Sequence, residues 1–137
     1  MAIVGFNFNK MSAERMHGVE GKINIKNNVS IKDITRQDLS LGSNKEPALK
    51  FIFDFSSDYE PEVGLISLTG DVTYIASEKE VQEVLKEWKK DRKINKELLS
   101  TIVNHLLARC NVQALILSRE VNLPPPIPLP KLTPNIK

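Results

Sequence analysis

Alternation of apolar and polar residues dominates the first half of the chain. Val4, Phe6 and Phe8 fall on one side and Asn7 and Asn9 on the other, a period of two that predicts a half-buried strand over residues 3–16. Met11 and Ala13 carry the apolar row on with the opposite parity, so a bulge or bend is expected near Asn9–Lys10. Over residues 18–32, Val19, Ile23, Ile25, Val29 and Ile31 alternate with Glu20, Lys22, Asn24, Lys26, Asn28, Ser30 and Lys32. Only Gly21 and Asn27 weaken the inner row, and a long antiparallel strand with one wet face is predicted. Residues 33–47 have no strong period and contain Gly42, Ser43, Asn44 and Pro47, which reads as a loop. Alternation resumes over residues 48–56 through Leu49, Phe51, Phe53 and Phe55. A polar turn at Ser56–Pro61 then leads to a fourth strand over residues 62–76, with Ile66, Leu68, Val72 and Tyr74 on one face, and the pair reads as a hairpin.

At Ser77 the period changes. Ser77 and Glu80 have the spacing of a capping box, and Val81, Val84, Leu85 and Trp88 follow at helical spacing. The charged run KKDRK ends this short helix. Asn95 is a plausible N-cap for a second, long helix reaching about Glu120. Its apolar stripe is Leu98, Leu99, Ile102, Val103, Leu106, Leu107, Cys110, Ala114 and Leu117. Val112, Leu115 and Ile116 fall outside that stripe, so the second half is apolar nearly all round. A helix of that kind is buried on more than one side, which points to a partner subunit over Val112, Leu115 and Ile116. The alternative is cover by the chain's own proline-rich strap, VNLPPPIPLPKLTPNIK, which must be extended because proline fixes φ and donates no hydrogen bond. Strands in a row followed by helices imply an α+β fold. Its parts are a four-stranded antiparallel sheet (residues 1–76), a short crossover helix and one long helix packed on one face (77–120), and an extended tail (121–137), all in a single domain.

Composition changes this picture little. A net charge of +2 is too mild to argue for nucleic acid or an anionic membrane surface. No run approaches the roughly 20 apolar residues that span a bilayer, and the first residues lack the pattern of a secretory signal. With Cys110 as the only cysteine, no internal disulfide can form, and these three points together make a reducing cytoplasm the expected compartment.

The order of elements resembles the SecB-type export chaperone, here as a divergent member. The local likeness lies in ISLTGDVTYIAS (Ile66–Ser77), which is similar to that family's last strand running into its crossover. A second stretch, from Asn95 through ALILSREVNLPPP, is similar to the family's main helix and the apolar segment after it. The resemblance implies a homotetramer, built as a dimer of dimers with helices held between two sheets. It implies a holdase that needs no ATP and no cofactor and binds non-native polypeptides in apolar grooves, with a place in protein export. On the matching segment, Val81, Val84, Leu85 and Trp88 are the candidate polypeptide-binding residues. Two departures weigh against coupling to the translocation ATPase. The outer sheet face carries Lys22, Lys26 and Lys32 where the family presents acid, and the chain closes on a proline-rich strap.

No catalytic constellation is visible, so an enzyme is not expected. His17 and His105 lie on different elements, and Cys110 is too far round the helix to share a face with His105. Asp54, Asp58, Glu60 and Glu62 do not fit a calcium loop, because Tyr59 and Leu65 stand where glycine and glutamate are required. Lys89, Lys90, Arg92, Lys93 and Lys96 could touch phosphate, and Phe51, Phe53 and Phe55 could form a stacking platform. The three phenylalanines share the face assigned to the core, which argues against nucleic acid. Trp88 either staples the short helix to the body or lines a groove. The other function class left open is an oligomeric adaptor of the same architecture that binds no clients.

Overall fold

The computed structural model describes residues 2–16 and 21–127. The expected roles of His17 and Val19, and of the tail beyond Ile127, fall outside the described residues. The elements are β1 (Ala2–Arg15), β2 (Asn24–Arg36), β3 (Leu39–Leu41), β4 (Asn44–Glu46), β5 (Ala48–Glu60), β6 (Gly64–Ile75), α1 (Glu78–Asp91) and α2 (Lys96–Glu120). The four long strands form one antiparallel sheet in the order β1-β6-β5-β2, and the helices lie on one face of it: the fold is α+β.

The inner face follows from the alternation. Leu49, Phe51, Phe53, Phe55 and Tyr59 of β5 are fully or almost fully buried, as are Ile66, Leu68 and Val72 of β6. Gly70 is required at the centre of that face. A Cβ there would sit 2.1 Å from the carbonyl oxygen of Asn7 and 2.9 Å from Cζ of Phe53. Phe6, Phe8 and Phe53 gather over this gap, with ring centroids 4.9 to 6.4 Å apart, and bind the edge strand β1 to the centre of the sheet.

Three bulges set which residues face in. The register slips between Phe8 and Lys10, so Asn9 is the extra residue and Ala13 returns to the core side. A second slip between Ile3 and Gly5 turns Ile3 inward and leaves Val4 half exposed, contrary to the inner row read from the sequence. A third, between Ile31 and Asp33, switches the parity of β2 and buries Ile34. Residues 33–47 are therefore not simply a loop: β2 continues to Arg36 and a small β3–β4 hairpin turns at Gly42, whose φ of 65° is readily adopted by glycine. The β5–β6 turn also comes later than Ser56–Pro61, because Ser57 and Tyr59 extend the buried row.

The lysines of the outer face do not make it basic. Lys26 pairs with Glu60 at 3.1 Å, Lys32 with Asp54 at 3.5 Å, and Lys50 with the nearly buried Asp71 at 3.8 Å. Asn9 donates to the same Asp71 carboxylate.

Candidate functional site

The two helices are set by their caps. Ser77 Oγ accepts from the Glu80 N–H at 3.2 Å, and Asn95 Oδ1 accepts from the N–H groups of Glu97 and Leu98. Arg36 clamps the start of α1 to the end of β2, donating to Glu78 at 2.5 and 2.6 Å and to Asp38 at 2.9 Å. The guanidinium holds both carboxyls below the usual carboxylate range.

On α1, Val81 is fully buried and packs the core, Val84 and Trp88 are nearly buried, and Leu85 is half-buried. Only Leu85 offers appreciable surface, Trp88 and Val84 are each less than a tenth exposed, and Val81 does not face outward. The Trp88 indole N–H donates to Asp33 Oδ1 at 3.2 Å, which ties α1 to the edge strand β2. α1 ends at Arg92, whose φ of 58° lies in the left-handed region and whose N–H bonds the Trp88 carbonyl. That position normally favours glycine. Here the Arg92 guanidinium folds back over the Trp88 ring at 5.1 Å and donates to the Lys32 carbonyl.

α2 sorts into rows of every fourth residue. Leu98, Ile102, Leu106, Cys110, Ala114 and Ser118 form the buried row. Each step of four overshoots a full turn by about 40°, so this row winds around the helix as it rises. Where it leaves the sheet, the chain's own tail takes over: the Leu123 N–H bonds the Ser118 carbonyl, and Leu123 packs where a Cβ on Gly64 would stand. On one flank His105 and Arg109 lie against Phe6 of β1. The other flank is the apolar row Leu99, Val103, Leu107 and Leu115, partly exposed and broken only by Asn111. Opposite the core lie Val112 and Ile116, 59% and 43% exposed, so neither the sheet nor the described part of the tail covers them.

A cleft of about 620 Å³ opens where β2, the end of α1 and the start of α2 meet. Ile31, Trp88, Ile94 and Leu99 make its apolar walls, and Lys32, Arg92 and Lys93 stand at its rim. A smaller recess of about 330 Å³ continues from Trp88 toward Ile34, Leu85 and Lys89. The inner row of β2 leads from this cleft through Val29 to Asn27, about 13 Å away at 3.3 Å per residue. Here the tail is seated. The Asn27 amide donates to the Pro126 carbonyl at 2.9 Å, Asn27 Oδ1 accepts from Ser57 Oγ, and the Tyr59 hydroxyl donates to the Pro124 carbonyl at 2.6 Å. Asn27, a weak point in the strand pattern, is thus the anchor of an extended chain. Arg92, which the sequence offers only as a possible phosphate contact, and Asn27, to which it gives no binding role, both lie along this groove; the one sequence signal for Asn27 is its polar interruption of an otherwise apolar row.

Burial pushes the Cys110 thiol up to about 12, which keeps it protonated and unreactive near neutrality. Among the described residues no group of three His, Cys, Asp or Glu side chains is placed to hold a metal ion, and no helix is long and apolar enough to cross a membrane.

No protein family model matches this chain. No curated protein matches it. Among solved structures the chain is similar to the Mycobacterium tuberculosis Rv1957 SecB-like chaperone in complex with a ChAD peptide from the Rv1956 HigA1 antitoxin, with 10% identity, a TM-score of 0.49, and 98% of this chain and 92% of that one covered.

Proposed function

We propose that this protein is a SecB-like, ATP-independent holdase of the cytoplasm that binds non-native polypeptides in the groove running from Trp88 to the seat of the tail. The observation that carries this reading is apolar surface left open beside a closed core: Ile31, Trp88, Ile94 and Leu99 wall a cleft that the described chain does not fill. Its continuation over β2 hydrogen-bonds an extended segment through that segment's backbone carbonyls, at Asn27 and Tyr59, while Leu123 and Pro126 are buried, which is how a client would be held by its main chain and apolar side chains. Burial of client side chains would supply about 25 cal/mol per Å². Val112 and Ile116, with Leu115 on the adjoining row, form the self-association surface, and a dimer of dimers is the assembly proposed. The likeness of Ile66–Ser77 and of the long helix to the export chaperone supports the same reading.

The test is aggregation of a chemically unfolded client on dilution. A stoichiometric amount of this protein delays aggregation without ATP, and the emission of Trp88, the only tryptophan, shifts as client is added. No delay at stoichiometric amounts contradicts the reading. A second reading is an oligomeric adaptor without client binding, favoured by the fact that residues 123–127 already occupy one end of the groove. Capture of one specific folded partner, with no effect on unfolded clients, would support the adaptor.

A further inference from the structure

We infer that the groove selects for sign: it takes extended segments in which apolar residues are accompanied by carboxylates, in preference to basic apolar segments. This rests on the polypeptide-binding reading above and adds a specificity to it. The apolar walls of the cleft are rimmed by the guanidinium of Arg92 and the ammonium of Lys93, with Lys89 at the adjoining recess, while Lys32 contributes its backbone carbonyl there. Among the described residues neither Arg92 nor Lys93 has a carboxylate within ion-pair distance; the partner of Lys32 is Asp54 of the sheet. The one carboxylate lining either recess, Asp33, accepts from the Trp88 indole and from the Ile34 N–H with the same oxygen. Arg92 is held in place by its stacking on Trp88 and its bond to the Lys32 carbonyl, at a left-handed backbone position that an arginine occupies at a cost glycine would avoid. A cation pre-positioned over the largest apolar side chain of the site fits a client residue pair of one apolar and one acidic side chain.

The other side of the α1–α2 corner has the opposite sign. A cleft of about 530 Å³ there is lined by Glu80, Glu83, Glu87 and Glu97, with Lys79 the only cation. An acidic segment is thus attracted to the Trp88 side and repelled from this one. Phosphate could also answer to the cations. The walls, however, are mostly aliphatic rather than a row of stacking rings, Lys26, Lys32 and Lys50 are paired, and the net charge of +2 offers little to a polyanion.

The experiment uses the full chain and two fluorescent unstructured peptides of equal length and equal apolar content, one bearing aspartates and one lysines at the same positions. Exposed pairs each contribute modestly, so two carboxylates should bind about tenfold tighter than two ammonium groups. The ratio should collapse in 1 M salt, where screening reaches about 3 Å. It should also collapse in Arg92→Gln and reverse in Lys93→Glu, with circular dichroism reporting that each variant is folded. Equal binding of the two peptides, or tighter binding of the basic one, overturns the selectivity and leaves polypeptide binding intact. Binding of neither peptide overturns the polypeptide reading and the selectivity together. An oligothymidine strand bound more tightly than the acidic peptide overturns the inference in favour of phosphate.

Discussion

Ile102 and Ile116 stand on the same helix, and the fold treats them in opposite ways. Ile102 is fully buried between α2 and the sheet, whereas Ile116 is 43% exposed with Val112 one turn below it. The buried row of α2 is apolar from Leu98 to Ala114. The row opposite begins with Ser100 and Asn104 and becomes apolar only at Ala108, Val112 and Ile116. The core therefore accounts for one face along the whole helix, and the second half of the other face is the apolar surface proposed above for self-association. Hydropathy alone does not separate these two roles; position around the helix axis does.

The buried row is the more sensitive of the two to substitution. Ile102→Asp would place an unpaired charge in the core and should abolish folding, and the milder Leu106→Ala should lower stability by about 2–5 kcal/mol in urea titration. The corresponding change on the outer row, Ile116→Asp, should leave the subunit folded by circular dichroism, while light scattering reports a lower mass and the parent's concentration-dependent resistance to urea is lost. A monomeric parent protein at micromolar concentration would remove the assembly half of the comparison.

Cys110 sharpens it further, because its row excludes water. Its folded pKa is raised above the ordinary thiol value, so its contribution to stability is complete below that value and is lost as pH rises from about 9 toward about 12. Cys110→Ala should remove that alkaline loss, measured by urea unfolding between about pH 8 and 11. In the native protein the thiol should stay unmodified by Ellman's reagent until the chain unfolds. The smallest effect belongs to the tail that covers α2 after Ser118. Tyr59→Phe deletes the hydroxyl bonded to the Pro124 carbonyl and should lower stability by about 1 kcal/mol, with faster proteolysis after Glu120.

Much of this architecture is legible in local pattern. Period-two rows mark the strands, the parity change after Phe8 marks the bulge at Asn9, and Ser77 and Asn95 sit at the helix starts as caps. What is not legible is non-local or too short to leave a period. The bulge at Val4 rests on one residue at the chain's start, and β3 and β4 have three residues each. The strand order β1-β6-β5-β2 pairs segments far apart in sequence, and the cleft joins Ile31, Trp88 and Leu99 from three elements. Val81, Val84 and Trp88 look like a groove lining when α1 is read alone; the Trp88–Asp33 bond and the Arg92 stack become apparent only once β2 is placed beside it.

Binding of non-native chain between β2 and the α1–α2 corner can be read segment by segment from hydrogen exchange with and without a permanently unfolded client. The predicted result is slower exchange at Ser30–Lys32, at Trp88–Leu99 and along Val103–Leu107, with the β1–β6 ladder unchanged. Unchanged exchange in those segments at saturating client, or protection confined to β1 and β6, would contradict it.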